Sequence, residues 1–296
     1  MKYKIVHKTQ YIYYEPISLC HNMARLVPRS TATQTCNKSA VAICPEPDVL
    51  NEFDDFFGNK VTYFAIQHEH KSLTVTVSSE IEITPIDIKQ SIDTYGKISW
   101  EDARMQLYQQ KLEYIDARQY VPETEATKFE SGITNYALKS FTPGRPIYQA
   151  VYDLMERIYK EFQFKPGFTT VATPIAEVML SRKGVCQDFA HVGIACLRSV
   201  GLPARYVSGY IETLPPPGVE KLVGVDASHA WFSVFIPNIG WVDFDPTNNV
   251  IPAEQHITIG WGRDYFDITP LKGVILSSSP HRLSVSVDVR RMDKSA

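Results

Sequence analysis

GVCQDFAHVGIACLRSVGLPARYVSGYI (residues 184–211) and HAWFSVFIPNIGWVDFDPT (residues 229–247) are the stretches whose reading decides the fold. In the first, a loop gives way at Cys186 to a helix that runs to about Val200. Gly201 stops it, with Pro203 behind. ARYVSGYIET then reads as a strand. The second stretch, led by Ser228, reads as an antiparallel hairpin: SHAWFSVFIP, a short turn at Pro237–Gly240, then GWVDFDPT. SHAWFSVFIP is apolar on both faces, which suits a central strand.

That order of elements brings chemistry together. A cysteine at a helix N-terminus faces unpaired backbone N–H groups and the positive end of the helix dipole, which favour the thiolate. The same N–H groups can stabilise an oxyanion formed when the sulfur attacks a carbonyl. A thiolate also needs a base, and His229 heads a strand where a lone imidazole needs a reason. A carboxylate must then hold the ring in one tautomer. The hairpin brings Asp245 beside His229; Asp243 has the same parity, and periodicity alone leaves both open. Pro246 ends the strand after Asp245 and favours it. Cys196, mid-helix, has neither advantage of Cys186 and is expected in the core. His191 is about 140° round the helix from Cys186 and is expected to be structural. Asp188, in the first turn, suits a capping role.

Upstream, TPGRPIYQAVYDLMERIYKEF predicts a strong helix with Ile147, Val151, Leu154 and Ile158 on one face. Thr173-Pro174 is expected to open a short helix ended by Gly184. SWEDARMQLYQQKLEYIDARQYV, with Ser99 as cap, reads as a helix of poor period joining two domains. Residues 1–90 alternate: YKIVHKTQYIYY, AVAICPEP, KVTYFAIQH and SLTVTVSSEIEITP are strand-like segments separated by turns at 28–37 and 54–60. A small antiparallel sandwich is the expectation. GVILSSS and RLSVSVDVRR add strands near the end and are assigned to the core. The expected domains are therefore 1–90 (β-rich), 91–140 (helical connection) and 141–296 (catalytic core with C-terminal strands). The fold class is α+β, with helices packed on an antiparallel sheet.

Over 296 residues, hydrophobic residues make up 44% and charged residues 21%, with a formal net charge of −3. No basic surface is forced on the fold, which argues against nucleic acid as a partner. No apolar run is long enough to cross a bilayer, so no membrane partner is expected. The first residues lack the apolar core of a signal peptide, and cytoplasmic localisation is the expectation. Five cysteines, an odd number, argue against a disulfide framework. C-x9-C spacing and the lack of an HExxH run argue against a metal centre. His68 and His70, two apart on a strand, are expected to be solvated.

The Cys-helix segment and the His-to-Asp hairpin together resemble the core of the bacterial transglutaminase-like superfamily. LVPR (26–29), DDFFGNK (54–60) and GRDYFDITP (262–270) resemble the flanking parts of such proteins. The resemblance implies a papain-like core preceded by a β-rich N-terminal domain, with the catalytic triad on Cys186, His229 and Asp245. It implies no cofactor. The expected activity is cleavage of a peptide or amide bond through a thioester, with a peptide or protein as substrate. Gln187, Phe168, Tyr210, Trp231 and Trp241 are candidate substrate contacts. Members of the superfamily are also transglutaminases or non-catalytic scaffolds, so amine transfer and partner binding stand as the alternatives.

Overall fold

The computed structural model describes residues 1–213, 227–276 and 280–292; the proline-rich stretch LPPPGVEKLVGVDA (214–227), expected to resist regular structure, falls almost wholly outside them. The chain opens with six strands: β1 (Lys2–Ile17), β2 (Cys20–Ala24), β3 (Gln34–Cys44), β4 (Val49–Asp54), β5 (Lys60–Ile66) and β6 (His70–Ile83). Along β6, Leu73, Val75, Val77, Ile81 and Ile83 are buried on one face, as period-two alternation requires. The β4–β5 hairpin turns through Gly58 at φ +73°, a conformation that costs glycine least. β2 and β4 have no separate signal in the sequence, because CHNMA and VLNEFD are short and rich in residues that are not β-branched.

The connection holds several short helices rather than one: α1 (Lys89–Tyr95), α2 (Trp100–Gln106), α3 (Leu112–Arg118) and α4 (Ser131–Leu138), with a 3₁₀ turn at Glu125–Thr127. Ser99 Oγ caps α2 by accepting from Asp102 N at 3.1 Å. Of Met105, Leu107, Leu112 and Ile115 in this stretch, Leu107 is buried, whereas the other three face solvent. Without a continuous apolar stripe, nothing in the core holds a longer helix together.

The core begins with α5 (Ile147–Glu161), which buries Ile147, Val151, Leu154 and Ile158 as its period dictates. Then come β7 (Gln163–Phe164), α6 (Ile175–Ser181), β8 (Lys183–Gly184) and α7 (Cys186–Ser199). α6 ends at Arg182, not at Gly184. Arg182 itself takes the left-handed conformation (φ 55°), while Gly184 sits against Asp188 where a Cβ would clash. Pro174 is the N-cap of α6 and has no side-chain cap bond; Thr173 Oγ1 instead accepts from Thr170 N at 2.9 Å. β9 (Ala204–Ile211), β10 (Ala227–Ile236), β11 (Gly240–Phe244) and β12 (His256–Gly262) form an antiparallel sheet ordered β11-β10-β9-β12. α7 lies on one face of it, close enough that a Cβ at Gly193 would strike the Phe232 ring.

The final strands, β13 (Leu271–Ile275) and β14 (His281–Arg291), leave the core with which their sequence position grouped them. They join the N-terminal sheets, ordered β14-β1-β6-β3 and β13-β2-β5-β4. Pairing there satisfies the open edges of β1 and β2, which adjacency in sequence could not reveal. Two sheets and a helix-covered third sheet give the expected α+β architecture. Among the described residues no helix is long and apolar enough to cross a membrane.

The sandwich also grips the core. Tyr3, Ile5, Ile81, Ile83, Val287 and Val289 pack with Tyr210, Ile257 and Ile259. β12 is an edge strand, and two side-chain amides of the sandwich complete its backbone hydrogen bonding. Gln34 donates to Thr258 O at 2.7 Å and accepts from Thr258 N at 2.9 Å. Asn59 donates to Trp261 O at 2.8 Å and accepts from Trp261 N at 3.0 Å. Both amides are buried, so each bond is made in a low-dielectric setting where a lost partner is costly.

Candidate active site

Cys186 opens α7 and is half-buried. Asp188 Oδ2 accepts from Val185 N at 2.8 Å and from Thr169 Oγ1 at 2.6 Å, so its carboxylate caps the helix. Burial raises the Asp188 pKa, while these two bonds act to lower it. The backbone N–H groups of Cys186 and Gln187 belong to the first turn and have no acceptor within the helix.

His229 lies at the head of β10 and is buried. Its Nε2–H donates to Asp245 Oδ2 at 2.7 Å. Nδ1 is left as the nitrogen that can exchange a proton with sulfur, and the Cys186 side chain is a hydrogen-bond partner of the ring. Burial alone would push the imidazole pKa down. Asp245, and then Cys186, outweigh it and push the pKa up to about 10.

Asp245 is completely buried where β11 ends, and pairs through its backbone with Val250. Its Oδ1 accepts from Thr247 N at 2.9 Å and Asn248 N at 3.2 Å. Its Oδ2 accepts from His229, from Asn248 Nδ2 at 2.7 Å and from His256 Nε2 at 3.0 Å. Burial by itself would raise the carboxyl pKa; these donors hold it well below the usual range. Asp243, equal in parity, is one rung away and accepts from Trp231 Nε1 at 3.0 Å. The hairpin therefore carries two diagonal side-chain bonds on one face, and only the one at its open end reaches the imidazole.

Asn248 and His256 are site residues that the sequence reading missed. His256 heads a strand, the signal that singled out His229, but it lies beyond the hairpin that organised the reading. His229, Asp245 and His256 place three ligand atoms within 4.8 Å of one another, the spacing a cation would need. Their N···O separations of 2.7 and 3.0 Å are hydrogen-bond distances, each served by an imidazole N–H.

The candidate substrate contacts divide. Gln187 is partly exposed beside Cys186, and Phe168 is 40% exposed near the start of α7, with Lys165 and Lys183 over its ring at 5.4 and 5.6 Å. Tyr210 lies elsewhere: its ring is buried in the interface with the sandwich, and its hydroxyl bonds His7 Nδ1 at 2.8 Å. Trp231 is fully buried, and Trp241 packs on Tyr120, Phe235 and Arg205. Both line a cavity of about 840 Å³ between the sandwich, α1 and the sheet; its lining includes His256 but neither Cys186 nor His229. His229 and Trp231 share one face of β10, so position along the strand, not parity, separates them. Phe232 points to α7, so Trp231 points to the opposite face.

The bland expectations fare unevenly. Cys196 is buried with its thiol pushed up to about 12. His191 accepts from Tyr265 N at 3.2 Å, and burial, then Arg198, push its pKa down to about 3. His70, expected to be solvated, is instead buried: its Nε2 lies 3.8 Å from Cys20 Sγ, and its Nδ1–H donates to His68 O at 2.8 Å. β6 begins at His70 with its side chain on the inward face, whereas His68 lies in the connection from β5.

Residues 3–82 match the family model of the bacterial transglutaminase-like N-terminal region, and residues 135–246 match that of the transglutaminase-like superfamily. An uncharacterized protein of Mycobacterium tuberculosis is 36% identical over 293 residues, covering 97% of this chain and 92% of its own. The structure of a candidate cysteine protease from Cytophaga hutchinsonii is similar at a TM-score of 0.76 and 22% identity, covering 100% of this chain and 92% of its own. That likeness is one of fold. A protein-glutamine gamma-glutamyltransferase of Pseudomonas aeruginosa is 40% identical over 73 residues, which are 24% of this chain and 11% of that one.

Proposed function

The chain belongs to the bacterial transglutaminase-like superfamily, and from that premise we propose that it is a cysteine-nucleophile enzyme cleaving a peptide or amide bond. The observation that carries this reading is the buried 2.7 Å bond from His229 to Asp245, with Cys186 as the other partner of the same ring.

In this reading His229 Nδ1 takes the Cys186 proton, and the Sγ thiolate attacks the carbonyl carbon. The tetrahedral oxyanion is stabilised by N–H groups at the start of α7. Collapse breaks the C–N bond, and His229 gives its proton to the leaving amine. Water, deprotonated by His229, then attacks the thioester; the acid departs and Cys186 regains its proton. Asp245 stays ionised throughout and holds the imidazole by Nε2. Gln187, next to Cys186 in the chain, and Phe168, whose ring lies by Lys183 just ahead of α7, are the proposed substrate contacts. Five unpaired cysteines agree with a reducing, cytoplasmic setting.

The partial match to a protein-glutamine gamma-glutamyltransferase supports amine transfer as the second reading: a lysine-like amine in place of water would resolve the same thioester. The test is iodoacetamide labelling mapped by mass spectrometry, followed by thioester trapping with hydroxylamine in a peptide-substrate screen. Labelling of Cys186 at neutral pH well ahead of the exposed Cys44, and a trapped acyl group, are expected. Equal labelling of all five cysteines would sink both readings, and product carrying added amine rather than water would select the second.

A further inference from the structure

A second imidazole reaches the same carboxylate oxygen as His229, and it comes from the far side of the sheet. β10 and β12 flank β9, with Gly209 of β9 paired to His229 on one side and Thr258 on the other. A Cβ at Gly209 would overlap Ile257 O and the Trp231 indole. Glycine there lets the indole lie across β9, and His256 packs edge-on against it at 5.2 Å and 88°. Residues 245–256 meanwhile cross the end of the sheet from β11 to β12, so Asp245 and His256 begin and end one connection.

We infer that His256 is a positioning residue of this site: its Nε2–H fixes Asp245 Oδ2 so that the oxygen stays aligned with His229. The inference rests on the acyl-transfer reading above. Backbone N–H groups already fix Oδ1, whereas among the described residues the donors to Oδ2 besides His229 are Asn248 and His256. The N-terminal sandwich has a part in it, because Gln34 and Asn59 brace the edge strand that carries His256. His256 also lies outside residues 135–246, the stretch matched to the superfamily core, so the likeness to that core does not supply this role.

The test compares His256→Gln, whose amide nitrogen can stand near the Nε2 position and keep a donor, with His256→Phe, which keeps the volume and loses it. Two readouts apply to the full chain: turnover, and the pH dependence of Cys186 alkylation by iodoacetamide, which needs no substrate. His256→Phe should lower kcat by about ten- to a hundred-fold, the weight of one hydrogen bond to a charged group. It should also move the onset of alkylation up by about one pH unit, a tenfold loss in the thiolate–imidazolium equilibrium. His256→Gln should stay near the unsubstituted protein in both. Wild-type behaviour of a folded His256→Phe, or equal losses in both variants, would overturn the inference. If His256→Phe fails to fold, imidazole-¹⁵N spectra of the unsubstituted chain decide. The Nε2 protons of His229 and His256 should both shift on Asp245→Asn, and movement of His229 alone would overturn it. Alkylation of the unsubstituted protein only at the pH of a free thiol would instead overturn the acyl-transfer reading itself.

Discussion

The N-terminal sandwich contains a cysteine–histidine pair of its own, and it makes a natural control for Cys186 and His229. Cys20 Sγ lies 3.8 Å from His70 Nε2, both residues buried. Cys20 lies on strand β2 rather than at a helix start, and burial pushes its thiol up. The His70 ring donates to a backbone carbonyl, which orients it without supplying a charge. Cys186 opens a helix, and His229 donates to a buried carboxylate that favours the imidazolium. Proximity of sulfur to imidazole is common to both pairs. What separates them is a third group carrying negative charge and a helix start aimed at the sulfur.

The largest effect should come from Cys186→Ala, which would abolish turnover; Cys20→Ala should leave it within about twofold, since additivity fails only between groups in contact. Comparable losses from both substitutions would erase the contrast. Next, Asp245→Asn should lower kcat by about 10³–10⁴-fold by releasing the imidazole tautomer. Asp243→Asn, whose carboxylate accepts from Trp231 and faces the Arg205 charge, should cost less than about threefold, because it is away from the reacting atoms.

pH supplies a third test. His229 is raised to about 10 from 6.5, so its pairing stabilises the fold fully below pH 6.5 and is lost as pH rises through 10. Asp245 is lowered, so its contribution is present above 3.8 and is lost as pH falls through its folded value. The Tm difference between the natural protein and His229→Gln should therefore be greatest between about pH 4 and 6.5 and shrink toward pH 10. His191 and His7 behave oppositely: buried and neutral, with values pushed down to about 3 and about 4, they bind protons only when the chain unfolds. Stability should thus fall as pH drops below 6.5, and His7→Asn should flatten that slope in thermal melts at successive pH values. A slope unchanged by His7→Asn would mean that the ring protonates without opening the interface.

The smallest expected effect concerns the brace between the regions. Asn59→Ala removes two buried hydrogen bonds to β12 and should lower stability by about 1–3 kcal/mol, read as a shift in the denaturant midpoint. Turnover should fall only a few-fold, because β12 still pairs with β9. Unchanged stability would show that the sandwich is not holding that edge.

Much of this was legible from residue order. Helix punctuation at Gly201 and Pro203 delimited α7, and a four-residue turn fixed the β10–β11 hairpin; both signals are local. Cys186 and His229 could be picked out because one starts an element and the other lies near the start of one. Asp245 could be narrowed to two candidates of equal parity, since a strand repeats every second residue. Only the distance along the hairpin, set by the diagonal from His229 to the open end, gave Asp243 to Trp231 and Asp245 to the imidazole. His256, the bracing amides Gln34 and Asn59, the return of β14 to β1 and the burial of Tyr210 and Trp231 were decided by tertiary structure. Each depends on which strand edge meets which partner across many residues. Periodicity tells which face a side chain takes, but not what the rest of the chain places against that face.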